Sequence, residues 1–326
     1  MNVLSLCDGI SCGRLALEKA GIFVGKYYSS EIDATAIEIS KKNYPDIIRL
    51  GDVTKITSEV LDTLPIIDLI IFGSPCQSVS VLGNQTGFSG KSGLFFECTR
   101  ILKHLQAKNP NLKFLVENVC MKKEWKDVMS LELGVEPICI NSSLMSAQLR
   151  KRLYWTNIKN DGQPRDKQIR FQDILESGYA LTEKAYCLTV KGGVGLTVSG
   201  FRKALTKKGT NLILKDKPVL LNYEKNLFEQ NLGDSFRIGK NNVRLIHKSI
   251  VPIDVGIYEN KREILFVYEN DDSIKALVRQ ISVTEVERLQ TVTEGYTQNV
   301  SRTNSLKALG NGWTIDIISY LLQGVK

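Results

Sequence analysis

The apolar run Ile66-Ile67-Asp68-Leu69-Ile70-Ile71-Phe72 ends on Gly73-Ser74-Pro75-Cys76-Gln77-Ser78-Val79-Ser80, and this junction constrains the fold more than any other stretch. A short, nearly continuous apolar run bounded by turn residues reads as a strand buried on both faces of a parallel sheet. Gly73 permits a sharp exit from such a strand, and Pro75 fixes its own φ while biasing Ser74 towards an extended conformation. Cys76 therefore stands just past the C-terminal end of a strand. In an open α/β sheet that edge is where ligands and chemistry collect. A Gly/Pro turn that merely happens to hold a cysteine would look the same, so the question is whether other residues arrive at the same edge.

Several do, in chain order. Residues 3–7 read as a first strand, Asp8-Gly9-Ile10-Ser11-Cys12-Gly13 as a small-residue loop, and 14–21 as a helix with an apolar face and a terminal glycine. Strand, glycine loop and helix open a nucleotide-binding doubly wound sheet, although this is not a clean GxGxxG and many such openings are only tight turns. A second strand over 23–30 ends at Glu31, placed to bond ribose hydroxyls or to cap a helix over 34–42, a task open equally to Asp33. A third strand over 47–50 leads to Gly51-Asp52-Val53, a further small-ligand candidate. After a glycine-rich stretch over 82–93, which fits a lid or an ordinary surface loop, come a helix over 94–105 and a strand over 114–116 that ends in Glu117-Asn118-Val119. A lone glutamate there is more often structural. Beside a cysteine on the same edge it becomes a candidate acid next to a nucleophile.

Gln148-Leu149-Arg150-Lys151-Arg152 then precedes a strand over 153–156. Alternation along an extended segment puts Gln148, Arg150 and Arg152 on one face, offering two guanidinium groups to a phosphate or a polarised carbonyl; a solvated basic strand edge is the plainer alternative. From 157 to 277 the texture changes to short strands and clustered glycines, and residues 184–217 hold eight basic residues and one acid. With a net charge of +8 over 326 residues, this insert is expected to face a polyanion, nucleic acid first among candidates, a merely soluble β-rich insert being the plainer alternative. A helix over 282–290 is capped by Ser282 or Thr284, with Glu285 or Glu287 in its first turn. Leu309-Gly310-Asn311-Gly312-Trp313 leads into an apolar helix over 314–322 that needs the N-terminal sheet as its partner.

Seven scattered cysteines without a CxxC pair, and only two histidines, argue against a zinc or iron–sulfur site and suit a reducing cytoplasm. The N-terminus lacks a basic leader and turns polar too soon for a signal peptide, and no apolar run is long enough to span a membrane.

Taken together, Asp8-Gly9-Ile10-Ser11-Cys12-Gly13, Glu31, Asp52, Pro75-Cys76-Gln77, Glu117-Asn118-Val119, Gln148-x-Arg150-x-Arg152, Arg288-Leu289-Gln290 and Gly310-Asn311-Gly312-Trp313 resemble the ordered motifs of the cytosine-C5 DNA methyltransferase family over nearly the whole chain. The Asp-Gly-Ile loop, Leu94-Phe95-Phe96-Glu97 and the tryptophan after the last Asn-Gly are similar to the eukaryotic de novo branch; Pro-Cys-Gln and Gln-x-Arg-x-Arg look like bacterial and phage enzymes. The resemblance implies a Rossmann-like α/β sheet dependent on S-adenosylmethionine, formed by residues 1–156 and 278–326, with a small β-rich target recognition domain inserted over 157–277. It implies that Cys76 attacks cytosine C6, that Glu117 serves N3 and the exocyclic amine, and that Arg152 and Arg150 hold O2 and the adjacent phosphate. Asp8, Gly9, Ile10, Ser11, Cys12, Glu31, Ile32, Asp52, Val53, Pro75, Asn311 and Trp313 are the implied cofactor contacts, and Gln77, Ser80, Asn118, Gln148 and Arg288 the implied substrate contacts. No metal and no membrane is implied. The expected substrate is double-stranded DNA with its cytosine flipped out, the expected state a monomer in a bacterial or phage-infected cytoplasm, and a cognate restriction endonuclease a candidate partner.

The chain departs from the family pattern in three places. Cys7 stands where phenylalanine is usual, Ser11 where the bacterial pattern has glycine, and Gly90-Lys91-Ser92-Gly93 where an Asp/Arg pair is usual. Rival readings are a tRNA cytosine methyltransferase, a catalytically silent DNA-binding accessory protein, and a Rossmann-type oxidoreductase suggested by the opening loop alone.

Overall fold

The computed structural model describes residues 1–75, 93–180, 182–187 and 211–214, together with 219–220, 252–257, 263–268 and 274–325. Cys76, Gln77, Ser80, nearly all of the glycine-rich stretch and most of the basic run over 184–217 lie outside them.

The main sheet is built from β1 (Asn2–Leu6), β2 (Lys26–Ser30), β3 (Ile48–Arg49), β4 (Leu69–Phe72), β5 (Lys113–Val119), β6 (Ile138–Asn141) and β8 (Lys151–Thr156), in the order β3-β2-β1-β4-β5-β8-β6. The first five strands in that order are parallel, while β8 runs antiparallel to both β5 and β6. The apolar runs explain this arrangement. Leu69, Ile70, Ile71 and Phe72 are all fully buried, as a strand covered on both faces requires. Alternation sorts them into two layers. Val3, Leu69, Ile71 and Leu115 face one core cluster, and Leu4, Leu6, Ile70, Phe72, Phe114 and Val116 face the other.

The first layer is covered by α1 (Cys12–Lys19), α2 (Ala34–Asn43) and three helices from the far end of the chain, α6 (Val283–Leu289), α7 (Arg302–Asn311) and α8 (Ile315–Leu322). The last helix packs beside α1, so it finds the sheet partner its apolar sequence requires. The second layer is covered by α3 (Ser58–Thr63), α4 (Leu94–Lys108) and α5 (Lys123–Leu133). Caps follow the sequence: Asp33 accepts from Ala36 N at 3.0 Å to start α2, and Ser282 with Glu285 forms a capping box on α6.

Two boundaries differ from the sequence expectation in ways that matter for the site. The fifth strand does not stop at Val116. Glu117, Asn118 and Val119 continue its ladder against Tyr154, Leu153 and Arg152. Nor is the segment from Gln148 to Arg152 one continuous strand. Gln148 and Leu149 form β7, which pairs with β10 (Ala185–Tyr186); Arg150 is a step, and β8 then joins the main sheet.

A second, antiparallel sheet contains β9 (Tyr179–Ala180), β11 (Leu212–Leu214), β13 (Pro252–Ile257), β14 (Glu263–Tyr268) and β15 (Ile274–Gln280), ordered β13-β14-β15-β11-β9, with β12 (Val219–Leu220) on β15. Among the described residues no helix is long and apolar enough to cross a membrane.

Candidate active site

The C-terminal ends of β1, β2, β4 and β5 lie side by side, and the predicted residues gather there. At the first two, the Glu31 carboxylate accepts from Gly9 N at 2.7 Å and from Ile32 N and Asp33 N at 2.8 Å. The two strand ends are thereby tied by an acid that retains acceptor capacity on Oε2, since Oε1 already takes two backbone N–H groups. Gly9 has φ +59°, and a Cβ there would meet nothing within 4 Å, so the backbone at this turn faces open space. Ile32 is 70% exposed beside it. Asp52 caps a short 3-10 turn through Thr54 N at 2.9 Å, a bond that holds its carboxyl below the usual range. Two acceptor-only carboxylates and an uncovered isoleucine around an open glycine turn suit a ligand that carries hydroxyl and amine donors beside an apolar ring, which is what adenosine offers.

Other members of the predicted cofactor set are built into the interior. Asp8 accepts from Ser11 Oγ at 2.6 Å, Tyr27 OH at 2.8 Å and Ser29 Oγ at 2.8 Å, and burial nevertheless raises its carboxyl pKa. The Cys12 thiol accepts from Trp313 N at 3.4 Å, and burial pushes it up to about 12. Such a thiol is inert as a nucleophile. Ile10 and Val53 are buried, the Ile10 carbonyl accepts from Tyr296 OH at 2.6 Å, and Asn311 is exposed at the end of α7.

At the other two strand ends, Asn118 Nδ2 donates to Ser74 Oγ at 3.3 Å, fixing the exit of β4 one residue before Pro75. Glu117, 9% exposed, receives Arg152 Nε on Oε1 at 3.0 Å and Trp313 Nε1 on Oε2 at 3.1 Å. Burial disfavours charge on Arg152, but the Glu117 carboxylate raises its pKa, so the guanidinium stays charged.

The expectation that Gln148, Arg150 and Arg152 share one open face is corrected by these contacts, because the strand breaks at Arg150. Gln148 is 0% exposed and its Nε2 donates to Leu289 O and Gln290 Oε1, both at 2.8 Å. Arg150 is 3% exposed and donates to Gly310 O at 3.2 Å and Gly312 O at 2.8 Å. Arg288 likewise turns to Glu294 Oε1 at 2.8 Å and Ile174 O at 2.9 Å. Of the three residues 148, 150 and 152, Arg152 is the one the structure brings to Glu117. Gln290 was missed as a functional position: its Nε2 donates to Leu309 O at 2.7 Å, joining α6 to the Gly310-Asn311-Gly312 turn. Its place in the Arg288-Leu289-Gln290 motif was the available signal.

A parallel-dominated α/β sheet carries an acidic turn at its first strands and a buried Glu–Arg pair at the neighbouring strand ends, the architecture of a doubly wound α/β protein. The family model "C-5 cytosine-specific DNA methylase" matches residues 1–326, and the chain belongs to that family. Among curated relatives, the type II methyltransferase M.NlaIV of Neisseria lactamica is 40% identical over 121 residues, which is 36% of this chain and 27% of the relative. The orphan methyltransferase M.SPRI of Bacillus phage SPR is 33% identical over 193 residues, 55% of this chain and 43% of the relative. The matched stretches thus span less than half the length of these curated relatives. In fold the chain is similar to the S. pombe Dnmt2 methyltransferase (TM-score 0.59, 18% identity, 100% of this chain and 98% of that one). It is similar also to the Entamoeba histolytica methyltransferase EhMeth (TM-score 0.59, 14% identity, 100% and 97%).

Proposed function

We propose that this chain is a DNA (cytosine-5-)-methyltransferase that uses S-adenosylmethionine and works through a transient bond between Cys76 and C6 of a cytosine extruded from duplex DNA. The observation that supports this most strongly is the Glu117 carboxylate, pinned by Arg152 at the end of β5 beside the β4 exit that leads to Cys76.

The chemistry accounts for each residue type. Cytosine C5 is a poor nucleophile. Addition of the Cys76 thiolate across C5–C6 places electron density on C5, and a thiolate adds and leaves readily near neutral pH. Glu117, carrying a carboxyl proton, donates it to ring N3 as that charge develops and takes it back when the adduct collapses, and Arg152 holds O2 with donors in a fixed fork. S-adenosylmethionine, when bound, supplies an electrophilic methyl group on its sulfonium. Glu31 and Ile32 at the ribose and Asp52 with Val53 at the adenine would hold it, over the Gly9 turn. Pro75, Asn311 and Trp313 are its remaining proposed contacts, while Asp8, Ile10, Ser11 and Cys12 shape the turn from beneath. Loss of the C5 proton to water re-forms the C5=C6 bond and expels Cys76 as the thiolate that began the cycle. Extruding the base costs roughly a few kcal/mol, offset by contacts from the basic insert. We assign catalysis to residues 1–156 and 278–326 and target recognition to 157–277, with Gln77, Ser80 and Asn118 as proposed substrate contacts.

Mapping 5-methylcytosine in DNA from cells that express the protein, beside a Cys76→Ala control, tests this reading. New 5-methylcytosine that depends on Cys76 supports it. Labelled methyl transfer to tRNA instead of plasmid would replace it with the RNA-directed alternative.

A further inference from the structure

Glu117 has a second partner that the proposed mechanism does not use. Trp313 Nε1 lies 3.1 Å from Oε2, on the oxygen that Arg152 leaves free. Both partners can only donate. One lone pair on each oxygen is therefore occupied by a group that can neither accept nor carry away a proton. A carboxyl proton, or a hydrogen bond from a substrate ring, is confined to the remaining lone pairs. Two donors on two oxygens also fix the carboxylate plane, and a group that must address one ring nitrogen needs that fixed direction.

The indole is itself held. Arg150 donates to the carbonyls of Gly310 and Gly312, straddling Asn311, and Trp313 N donates to Cys12 Sγ. Gln290 Nε2 takes the neighbouring Leu309 carbonyl. The Trp313–Glu117 bond rests on bare backbone: a Cβ on Gly73 would lie 3.0 Å from Trp313 Nε1 and 3.2 Å from Glu117 Oε2. Gly73 is three residues before Cys76 in the sequence, so one bond touches the acid, the C-terminal turn and the end of β4.

We propose that Trp313 is a positioning residue for Glu117, and that Arg150 acts by clamping the turn that carries Trp313 and not by binding DNA phosphate. The proposal rests on the methyltransferase reading above and goes beyond it.

Trp313→Phe keeps the aromatic ring and deletes the N–H, and a charge-assisted hydrogen bond lost in the transition state is worth about tenfold in rate. The expected result is a single-turnover rate down about tenfold at saturating DNA and S-adenosylmethionine, with the KM for DNA within about twofold of wild type. In a Glu117→Gln background, Trp313→Phe should add almost nothing, because the two changes remove one interaction. Arg150→Met should repeat the rate loss and leave the salt slope of DNA binding unchanged. A readout independent of activity is the indole 15N–1H resonance of Trp313, assigned by its absence in Trp313→Phe. It should shift in folded Glu117→Gln protein and stay in place in Cys76→Ala.

Independent, multiplicative losses in the double variant would overturn the positioning role. So would a loss confined to the cofactor KM, a shallower salt slope in Arg150→Met, or an indole resonance indifferent to Glu117→Gln. Cys76→Ala protein as active as wild type would instead sink the reading of the function itself.

Discussion

Arg152 meets Glu117 along a diagonal of the antiparallel β5–β8 ladder: Glu117 faces Tyr154, Val119 faces Arg152, and the guanidinium Nε reaches back to Oε1 at 3.0 Å. Diagonal neighbours on one sheet face are within reach of a long side chain. The register of two strands therefore sets the distance between the proposed acid and the proposed carbonyl clamp, and neither is left to a loop.

Because both side chains are largely buried, removing one partner should cost more than removing both. Arg152→Met is predicted to lower unfolding free energy by about 3 kcal/mol, since it strands a buried carboxylate. Adding Glu117→Gln should recover part of that loss. Denaturant melts of the two single variants and the double variant check this; a double variant less stable than Arg152→Met would contradict it.

Gln148 is predicted to matter for stability and not for DNA affinity. Truncation to alanine leaves the Leu289 carbonyl without its side-chain donor and the Gln290 amide oxygen with Thr314 Oγ1 as its remaining donor, a loss of about 1–3 kcal/mol. The checks are a thermal melt and a DNA titration; an unchanged melt with weakened DNA binding would restore the face-sharing expectation.

The same position shows how far the sequence could be read. The strands β1 and β4 were legible as short apolar runs bounded by turn residues, and the helices α1 and α4 by an apolar face of helical period. The strand β5 was read short because Glu117 and Asn118 are polar, although the ladder with Tyr154 and Leu153 continues through them. The helix α5 was not anticipated: Leu131 and Val128 are exposed while Met129 and Leu133 are buried, which blurs its periodicity. The roles of Gln148 and Arg150 depend on carbonyls more than 100 residues away in α6 and the Gly310–Gly312 turn. Local alternation carries no information about such partners.

Acid should loosen the packing of the last helix against α1. Burial acts to raise the Asp316 carboxyl, yet Lys167 Nζ, 2.8 Å from Oδ2, and Lys19 on the other oxygen outweigh it and hold the carboxyl below 3.8. A folded-state value below the unfolded one means that this contribution is present above about pH 4 and is lost as pH falls through the lowered value. Asp316→Asn is predicted to lower stability at neutral pH and to flatten the acid limb of a stability–pH profile. A limb as steep as that of wild type would exclude Asp316 as its source.

Glu31 joins the two turns at which adenosine is proposed to sit. Glu31→Ala removes the acceptor of Gly9, Ile32 and Asp33 and is predicted to weaken S-adenosylmethionine binding by about tenfold or more. DNA affinity should stay nearly unchanged. Calorimetric titration of cofactor and of DNA separates the two effects, and an unaltered cofactor dissociation constant would remove Glu31 from the site.

The most direct test uses duplex DNA in which 5-fluorocytosine replaces the target cytosine, incubated with the protein and S-adenosylmethionine. Fluorine cannot leave as the proton does, so the adduct should accumulate as a denaturation-resistant protein–DNA complex. Peptide mapping should place the link on Cys76, and Cys76→Ala should form none. A complex linked through another residue, or none from DNA that the wild-type protein methylates when unmodified, would contradict the covalent account.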